Sequence, residues 1–366
     1  MSKAAELAAL IGSQTALSNR NLVFNGAMQV AQRSTSETGV GGSSGYFTLD
    51  RWRLTGSAID GRATMSQAAV TDLPGFANAL KLDCTTADTS LAATDVFRIQ
   101  QRFEGQDLQP LKKGTSSAKA VTVSFYMKTN KAFTFVCEFD DTDNSRTNSQ
   151  QFTTSTSWTR HVLTFAGDTT GKLDNDNARS AQIHIYLNAG SNFTSGTYSA
   201  NTWQSRASTN VNRAVGVGNF FDNTDNEVQI TGFQMELGEQ ATPFEHRSFA
   251  DELARCQRYH YRIEADAAND GIIGAMANFN GTSSYAVLPF PVEMRTAPSA
   301  IASSDSTFTF YSKGETRTPT NVTLATRATK ANSEIHVDWS SSLNDGGAGW
   351  LRAANDSCLI GFDAEL

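Results

Sequence analysis

Apolar and polar residues alternate with period two along several runs of this chain, and that pattern points to sheet structure. The alternation is partial over 121–127 and 133–139, continues over 158–165 and 181–187, and is best over 228–235; the runs are rich in β-branched and aromatic residues. Successive side chains on a strand point to opposite faces. A run with one apolar face must therefore be buried against another layer, and stacked antiparallel sheets are the expected solution. Phe is abundant at 22 and Pro scarce at 7, while Ser, Thr, Asn and Gly supply the turns. Lys128-Thr129-Asn130-Lys131 has the length and polarity of a hairpin linker between the first two runs.

The chain is thus expected to be all-β, with a jelly-roll β-sandwich over 21–248 as its main domain. The strand pattern is similar to that of the β-sandwiches of carbohydrate-binding modules. Residues 249–262 read as a short linker helix, with Ser248 as cap and Asp251 and Glu252 in the first turn. Residues 263–366 form a second, smaller C-terminal β-domain. Its strand over 285–292 is interrupted by Pro289 and Pro291, which suits an edge or a strand end. There 306–311 and 333–339 alternate well, 346–350 reads as a turn, and 357–366 as a final strand. Residues 1–20 carry a short N-terminal helix for attachment or oligomerisation. Its Leu7, Leu10, Gln14 and Leu17 make one coiled-coil seam. So short a helix needs neighbours, either copies of itself or another protein, or else it is a frayed terminus.

Composition narrows the function classes. The chain has 39% hydrophobic residues, 18% charged residues and a net charge of −7. This is enough apolar material for sizeable cores, and the acidic balance argues against nucleic-acid partners. Cys84, Cys137, Cys256 and Cys358 fit no metal or disulfide spacing and read as free buried thiols of a protein made in a reducing cytoplasm. No apolar run reaches the roughly 18–20 residues that span a bilayer, and no secretory signal is visible.

Residue patterns for chemistry are sparse. Asp140, Asp141 and Asp143 are weak calcium candidates, and 174–177 is a second polar acidic loop; neither has the spaced ligand set of a calcium loop, and both read as solvated turns. No pair of acids is singled out for sugar hydrolysis. His161, His184, His246, His260 and His336 are not at metal-ligand spacing, and no nucleophile elbow or phosphate loop occurs. Trp158, Tyr186, Tyr198 and Trp203 are the candidate ligand-binding residues, since sugar rings stack on aromatics; core packing is the competing use of the same rings. Trp52 reads as core.

Two separated segments add a different kind of signal. The first is Asn21-Leu22-Val23-Phe24-Asn25-Gly26-Ala27-Met28-Gln29-Val30-Ala31-Gln32-Arg33 with Leu49-Asp50-Arg51-Trp52. The second is Phe233-Gln234-Met235-Glu236-Leu237-Gly238, Ala241-Thr242-Pro243-Phe244-Glu245-His246-Arg247-Ser248 and Cys256-Gln257-Arg258-Tyr259. Together they resemble a module of tail-fibre and other structural proteins of tailed bacteriophages, over roughly residues 21–262. That family usually has Tyr-Tyr or Tyr-Phe after Cys-Gln-Arg, whereas this chain has Tyr259-His260-Tyr261. Met294 to Pro298 and Gly349 to Ala353 also resemble C-terminal domains of phage fibre proteins. The resemblance implies a non-enzymatic virion component without cofactor, assembled in the host cytoplasm: a tail fibre, or a tail or head spike. It implies a homotrimer that meets other virion proteins through its N-terminal segment. The implied host-side partner is a cell-surface glycan or protein, with no nucleic-acid binding or membrane insertion. A virion adaptor or capsid-decorating protein is the alternative reading, and a polysaccharide depolymerase the third.

Overall fold

The computed structural model describes residues 19–206, 211–265, 271–302, 307–312, 315–340 and 346–366. The seam Leu7, Leu10, Gln14 and Leu17 lies outside the described residues. The chain divides into two compact units, one running to Glu252 together with Leu366, the other Leu253–Glu365. The division falls within a helix, α1 (Phe249–Gln257).

Among the described residues the first unit has twelve strands: β1 (Ser36–Val40), β2 (Arg53–Ser57), β3 (Arg62–Ala69), β4 (Asn78–Thr86), β5 (Val96–Glu104), β6 (Val121–Thr129), β7 (Thr134–Asp141), β8 (Arg146–Thr153), β9 (Thr159–Phe165), β10 (Arg179–Ala189), β11 (Gln204–Ser205) and β12 (Glu227–Leu237). They form two antiparallel sheets, ordered β1-β3-β4-β12-β6-β9 and β11-β8-β7-β10-β5-β2. One continuous core lies between the sheets. Leu80, Leu82, Val123, Phe125, Val228, Ile230, Phe233 and Met235 enter it from the first, and Leu54, Phe97, Ile99, Phe135, Cys137, Phe139, Ile183 and Ile185 from the second. This is the sandwich that the alternation predicts.

Two local expectations change. The linker 128–131 is not a hairpin: β6 pairs with β12 and β9, whereas β7 pairs with β8 and β10 in the opposite sheet. The chain turns a corner there, fixed by Thr129 and Thr154 hydroxyls 2.7 Å apart. The hairpin is β7–β8 instead. In β12 the inward residues switch from even numbers (Val228, Ile230) to odd (Phe233, Met235). Gly232, at φ +61°, absorbs the extra residue as a bulge opposite β6, so the apolar face stays turned inward.

The signature segments meet in a buried node. The Asn25 side chain donates to the carbonyls of Val30 (2.8 Å) and Asp50 (3.0 Å) and accepts from the Val30 N–H (3.0 Å). The Trp52 indole donates to the Asn25 carbonyl at 3.0 Å and packs edge-on against Phe233. Asn25 sits at φ +56°, a conformation that asparagine tolerates better than most residues. Asn21 accepts from the N–H groups of Val23 and Met235 and donates to the Phe233 carbonyl. From the second segment, Glu245 accepts from the Asn21 N–H (2.8 Å), Arg247 donates to the Val23 carbonyl (2.9 Å), and Glu252 accepts from the Asn25 N–H (2.6 Å). The signature is scaffold: it ties the entry of the sandwich to its exit.

In α1, Ser248 accepts from the Asp251 N–H as a cap. The helix stops at Gln257, short of the expected 262. Residues from His260 instead pair with a late strand, whose ladder satisfies more backbone groups than one further helical turn. The second unit comprises β13 (His260–Glu264), β14 (Ile272–Asn280), β15 (Ser283–Pro289), β16 (Ser299–Ala302), β17 (Phe308–Ser312), β18 (Glu315–Arg317), β19 (Asn321–Ala328), β20 (Asn332–Asp338), β21 (Ala348–Ala353) and β22 (Leu359–Asp363). The order is β13-β22-β16 in a small sheet and β18-β17-β21-β14-β15-β20-β19 in a large one. Phe308, Phe310, Ile335, Val337, Trp339, Leu351, Ile360 and Phe362 form its core. Residues 346–350, expected as a turn, lead into a paired strand from Ala348. All four cysteines are buried and unbridged.

A Cβ added at Gly26 would lie 2.1 Å from the Phe233 carbonyl oxygen, which is backbone and cannot swing away. Gly26→Ala is therefore expected to destabilise the sandwich by about 1–3 kcal/mol. Asn25→Ala, which strands buried backbone groups, should cost about 3 kcal/mol or more. Urea denaturation of the two variants checks both values.

Candidate functional site

The outer face of the second sheet is polar. Glu138 and Asp140 project from β7, Gln182, His184 and Tyr186 from β10, and Arg98 from β5, on the side opposite the core residues. The segment after β10 returns over this face. Its Phe193, Ala214 and Val217 pack on Val96, Val136 and Tyr186. That cover explains why β10 is buried on both faces although its sequence alternates. The Arg213 guanidinium grips Glu138 in a two-pronged ion pair (2.6 and 2.7 Å), and Arg206 meets Asp140 at 3.0 Å. Glu138 also accepts from the Tyr186 hydroxyl (2.8 Å), which in turn accepts from Arg98 (2.7 Å), and Thr147 donates to it as well.

Burial alone would push Glu138 up, but Arg213 and His184 outweigh it and hold the carboxyl well below the usual range. Asp140 is shifted upward, first by burial and then by Glu138 beside it. Burial, with Arg98 nearby, pushes His184 well below its ordinary value, so its ring is neutral. Ligating atoms of Glu138, Asp140 and His184 lie within 4.8 Å of one another. Two guanidinium groups already neutralise the carboxylates, so a metal ion would add like charge to the pair. The cluster fits an ion-pair latch that holds the returning segment on the sheet.

The expected ligand residues do not converge. Tyr186 is fully buried in the latch. The Tyr198 hydroxyl accepts from the Gln151 N–H. Trp203 donates to the Ala166 carbonyl, packs edge-on against Phe139 and lies under the Lys113 ammonium. Trp158 precedes β9 and donates to Asp72. The calcium candidates also diverge. Asp140 faces Arg206, Asp141 meets Lys113 at 2.5 Å, and Asp143 accepts from the Asp174 N–H. Alternation along β7 explains this, because adjacent acids on a strand point to opposite sides. His161 packs between Phe125 and Phe152, and His246 beside Phe76 and Phe244.

An open aromatic surface lies on the large sheet of the second unit, on the side away from its core. Tyr311 on β17 is directly opposite Trp350 on β21, and Trp350 is opposite Ala275 on β14. Ala277 is opposite Tyr285 on β15, and Tyr285 opposite His336 on β20. Trp350 is 45% exposed and Phe279 72% exposed. The two alanines leave a shallow floor between the Trp350 side and the Tyr285 side. Phe279 stands edge-on to Tyr285 at 5.5 Å, and His336 stacks flat on Tyr285 at 4.5 Å. Arg352 lies over Tyr311 at 4.6 Å. The row crosses five strands, a span of about 19 Å at the usual strand spacing. Its polar margin includes Asp338, held below the usual carboxylate range by Asn321, against some burial, with help from Ser283 and His336. Flat rings with flanking hydrogen-bonding groups suit ligands that have apolar faces and polar edges. These residues fall on the polar phase of runs whose other phase is core; Glu334, His336 and Asp338 alternate with Ile335 and Val337. That phase was the signal available for Tyr285, Tyr311 and His336. Trp350 was hidden by the Gly-rich stretch before it.

No protein-family model matches the sequence, and no curated protein matches it. Solved structures overlap with about three-fifths of the chain. The enzymatically active domain of tailspike protein 4 from bacteriophage CBA120 is 11% identical at a TM-score of 0.31, covering 60% of this chain and 21% of that one. TmCBM61 in complex with β-1,4-galactotriose is 9% identical at 0.29, covering 60% and 99%. The family 11 carbohydrate-binding module from Clostridium thermocellum, in complex with a mixed-linked tetrasaccharide, is 14% identical at 0.25, covering 58% and 99%. At these TM-scores nothing about this chain follows from the overlaps.

Neutral, buried His184 and the partly buried His161 both resist protonation in the fold. Their folded values lie below the unfolded one of about 6.5, so stability is present above that pH and lost as the pH falls below it. The urea midpoint is expected to fall between about pH 7 and 5.5, less steeply in His184→Gln. Arg213→Met, which leaves Glu138 buried without its guanidinium, should cost about 3–5 kcal/mol at neutral pH. A midpoint that does not respond would show that the latch is not closed in solution.

Proposed function

We propose that this chain is a non-enzymatic structural component of a bacteriophage virion, a tail fibre or a tail or head spike, that holds host-surface glycan on the outer sheet face of its C-terminal unit. The observation that carries this reading is the row of Tyr311, Trp350, Phe279, Tyr285 and His336 across one sheet, with Trp350 and Phe279 exposed and the other three rings half-buried. Sugar rings have apolar C–H faces that stack on aromatic rings, and hydroxyl edges that hydrogen-bond to carboxylates and guanidinium groups such as Asp338 and Arg352. A row rather than one ring suits a chain of sugars. The phage assignment is supported by the two signature segments and by their structural role in closing the sandwich. Trimeric assembly would multiply weak contacts by avidity.

A second reading has its own observation. Phe279 and Val287, 72% and 71% exposed on the same sheet, give this face an apolar end that suits contact between copies or with another virion protein. Native mass separates the two readings. A glycan-binding trimer gives about three times 39.5 kDa and keeps that mass in Trp350→Ala. An interface between copies on this face would lose it.

On an array of bacterial surface glycans, Trp350→Ala and Tyr311→Ala are each expected to weaken binding about tenfold, in line with the loss of one stacking contact. Variants that bind as the parent does would sink the sheet-face assignment. Shortening of any bound polysaccharide during incubation would sink the non-enzymatic one.

A further inference from the structure

A cavity of about 390 Å³ opens in the sandwich unit, between the 3-10 helix Gly105–Leu111, the turn that follows it and the loop around Lys172. That is the lower range of small-ligand sites, which run from about 300 to 1,000 Å³. Buried Leu108 and Leu173 give it an apolar floor, and Thr115 and Ser117 bring hydroxyls to its wall. Three lysines line it and no carboxylate does, in a chain whose net charge is −7.

The three lysines are not equivalent. Lys113 is spent: its buried ammonium meets Asp141 and Asp168 and donates to the carbonyls of Thr170 and Gly171. Lys112 and Lys172 are exposed and form no ion pair among the described residues. Their backbones are fixed. Lys112 is at φ +50° with its N–H on the Gln109 carbonyl, and the Lys172 carbonyl accepts from the Asn144 side chain. Asp141 and Asp168, which Lys113 meets, are neutralised by it and by Arg146, whose guanidinium grips Asp168 at 2.6 Å.

We infer that this cavity is a second binding site, specific for a monosaccharide unit that carries an anionic substituent, carboxylate or phosphate. Lys112 and Lys172 would hold the anion and the two leucines the apolar ring face. The Thr115 hydroxyl gives its proton to the Lys112 carbonyl, and the Gln109 amide gives its protons to the carbonyls of Gly105, Leu173 and Asp174. The sugar hydroxyls would therefore be met by Ser117 and by the acceptor side of Thr115. The inference does not depend on the sheet-face reading.

Calorimetric titration of the full chain with D-glucuronate, glucose 6-phosphate, D-glucose and inorganic phosphate tests it. Glucuronate, glucose 6-phosphate or both should bind, and which of them does identifies the substituent. Glucose should not, and inorganic phosphate should bind more weakly than the sugar. Lys112→Ala and Lys172→Ala should each weaken binding about tenfold, as loss of one charge-assisted hydrogen bond does, with the melting temperature unchanged. The inference is overturned if neither anionic sugar binds, if glucose binds as well as they do, if phosphate alone binds as tightly, or if the lysine variants behave as the parent. Loss of array binding with intact glucuronate titration would remove the sheet-face reading alone, and the converse would remove the cavity alone.

Discussion

A buried amide that is not hydrogen-bonded costs about as much as a lost core contact, and the first unit is organised around that constraint. Asn25 and Asn21 lie inside the sandwich where the chain enters it, and they spend both amide groups on backbone at distant positions. The bonds form as a set only when the entry segment, the loop before β2, the bulged half of β12 and the start of α1 are all in place. Apolar packing between sheets is non-directional and tolerates small slips. The amide node does not, and it fixes the register of β12, on which the first sheet is centred.

Much of the architecture was legible because alternation is a geometric property of strands and survives any arrangement of them. What pairs with what is a long-range matter, and here the sequence misleads. The polar stretch 128–131 looks like a hairpin turn, yet β6 and β7 belong to different sheets. Tyr186 illustrates the same gap. Its strand alternates, and the structure puts the ring on the side away from the core, but nothing local announced that a segment beyond residue 190 would return and bury it. Trp350 shows the converse: glycines before it suggested a turn, and pairing with Ala275 and Tyr311 makes it strand. The signature segments were recognised through their residues, while their role was visible only once both halves were seen to bond each other.

Charge is handled differently at different depths. Beneath the returning segment, acids and guanidinium groups are matched, with Arg213 holding Glu138 down while burial pushes Asp140 up. Across the second unit's outer sheet the charged groups stand at the margins of rings, where water still screens them. Around the sandwich cavity Lys112 and Lys172 stand on fixed backbone and form no ion pair among the described residues. A surface that leaves cations unmatched on an acidic protein offers local attraction that net charge conceals.

The buried, unbridged cysteines have a consequence for how the folded state can be watched. Burial pushes the Cys84 thiol up to about 11 and Cys137 higher still, so almost no thiolate exists at neutral pH. Alkylating reagents attack the thiolate, and they must reach it. Labelling at these positions then proceeds only as often as the surrounding strands open. Cys84 and Cys137 report on the sandwich, Cys256 and Cys358 on the unit that follows. The chain thereby contains four native clocks, two per unit, that read the frequency of local opening without any introduced probe.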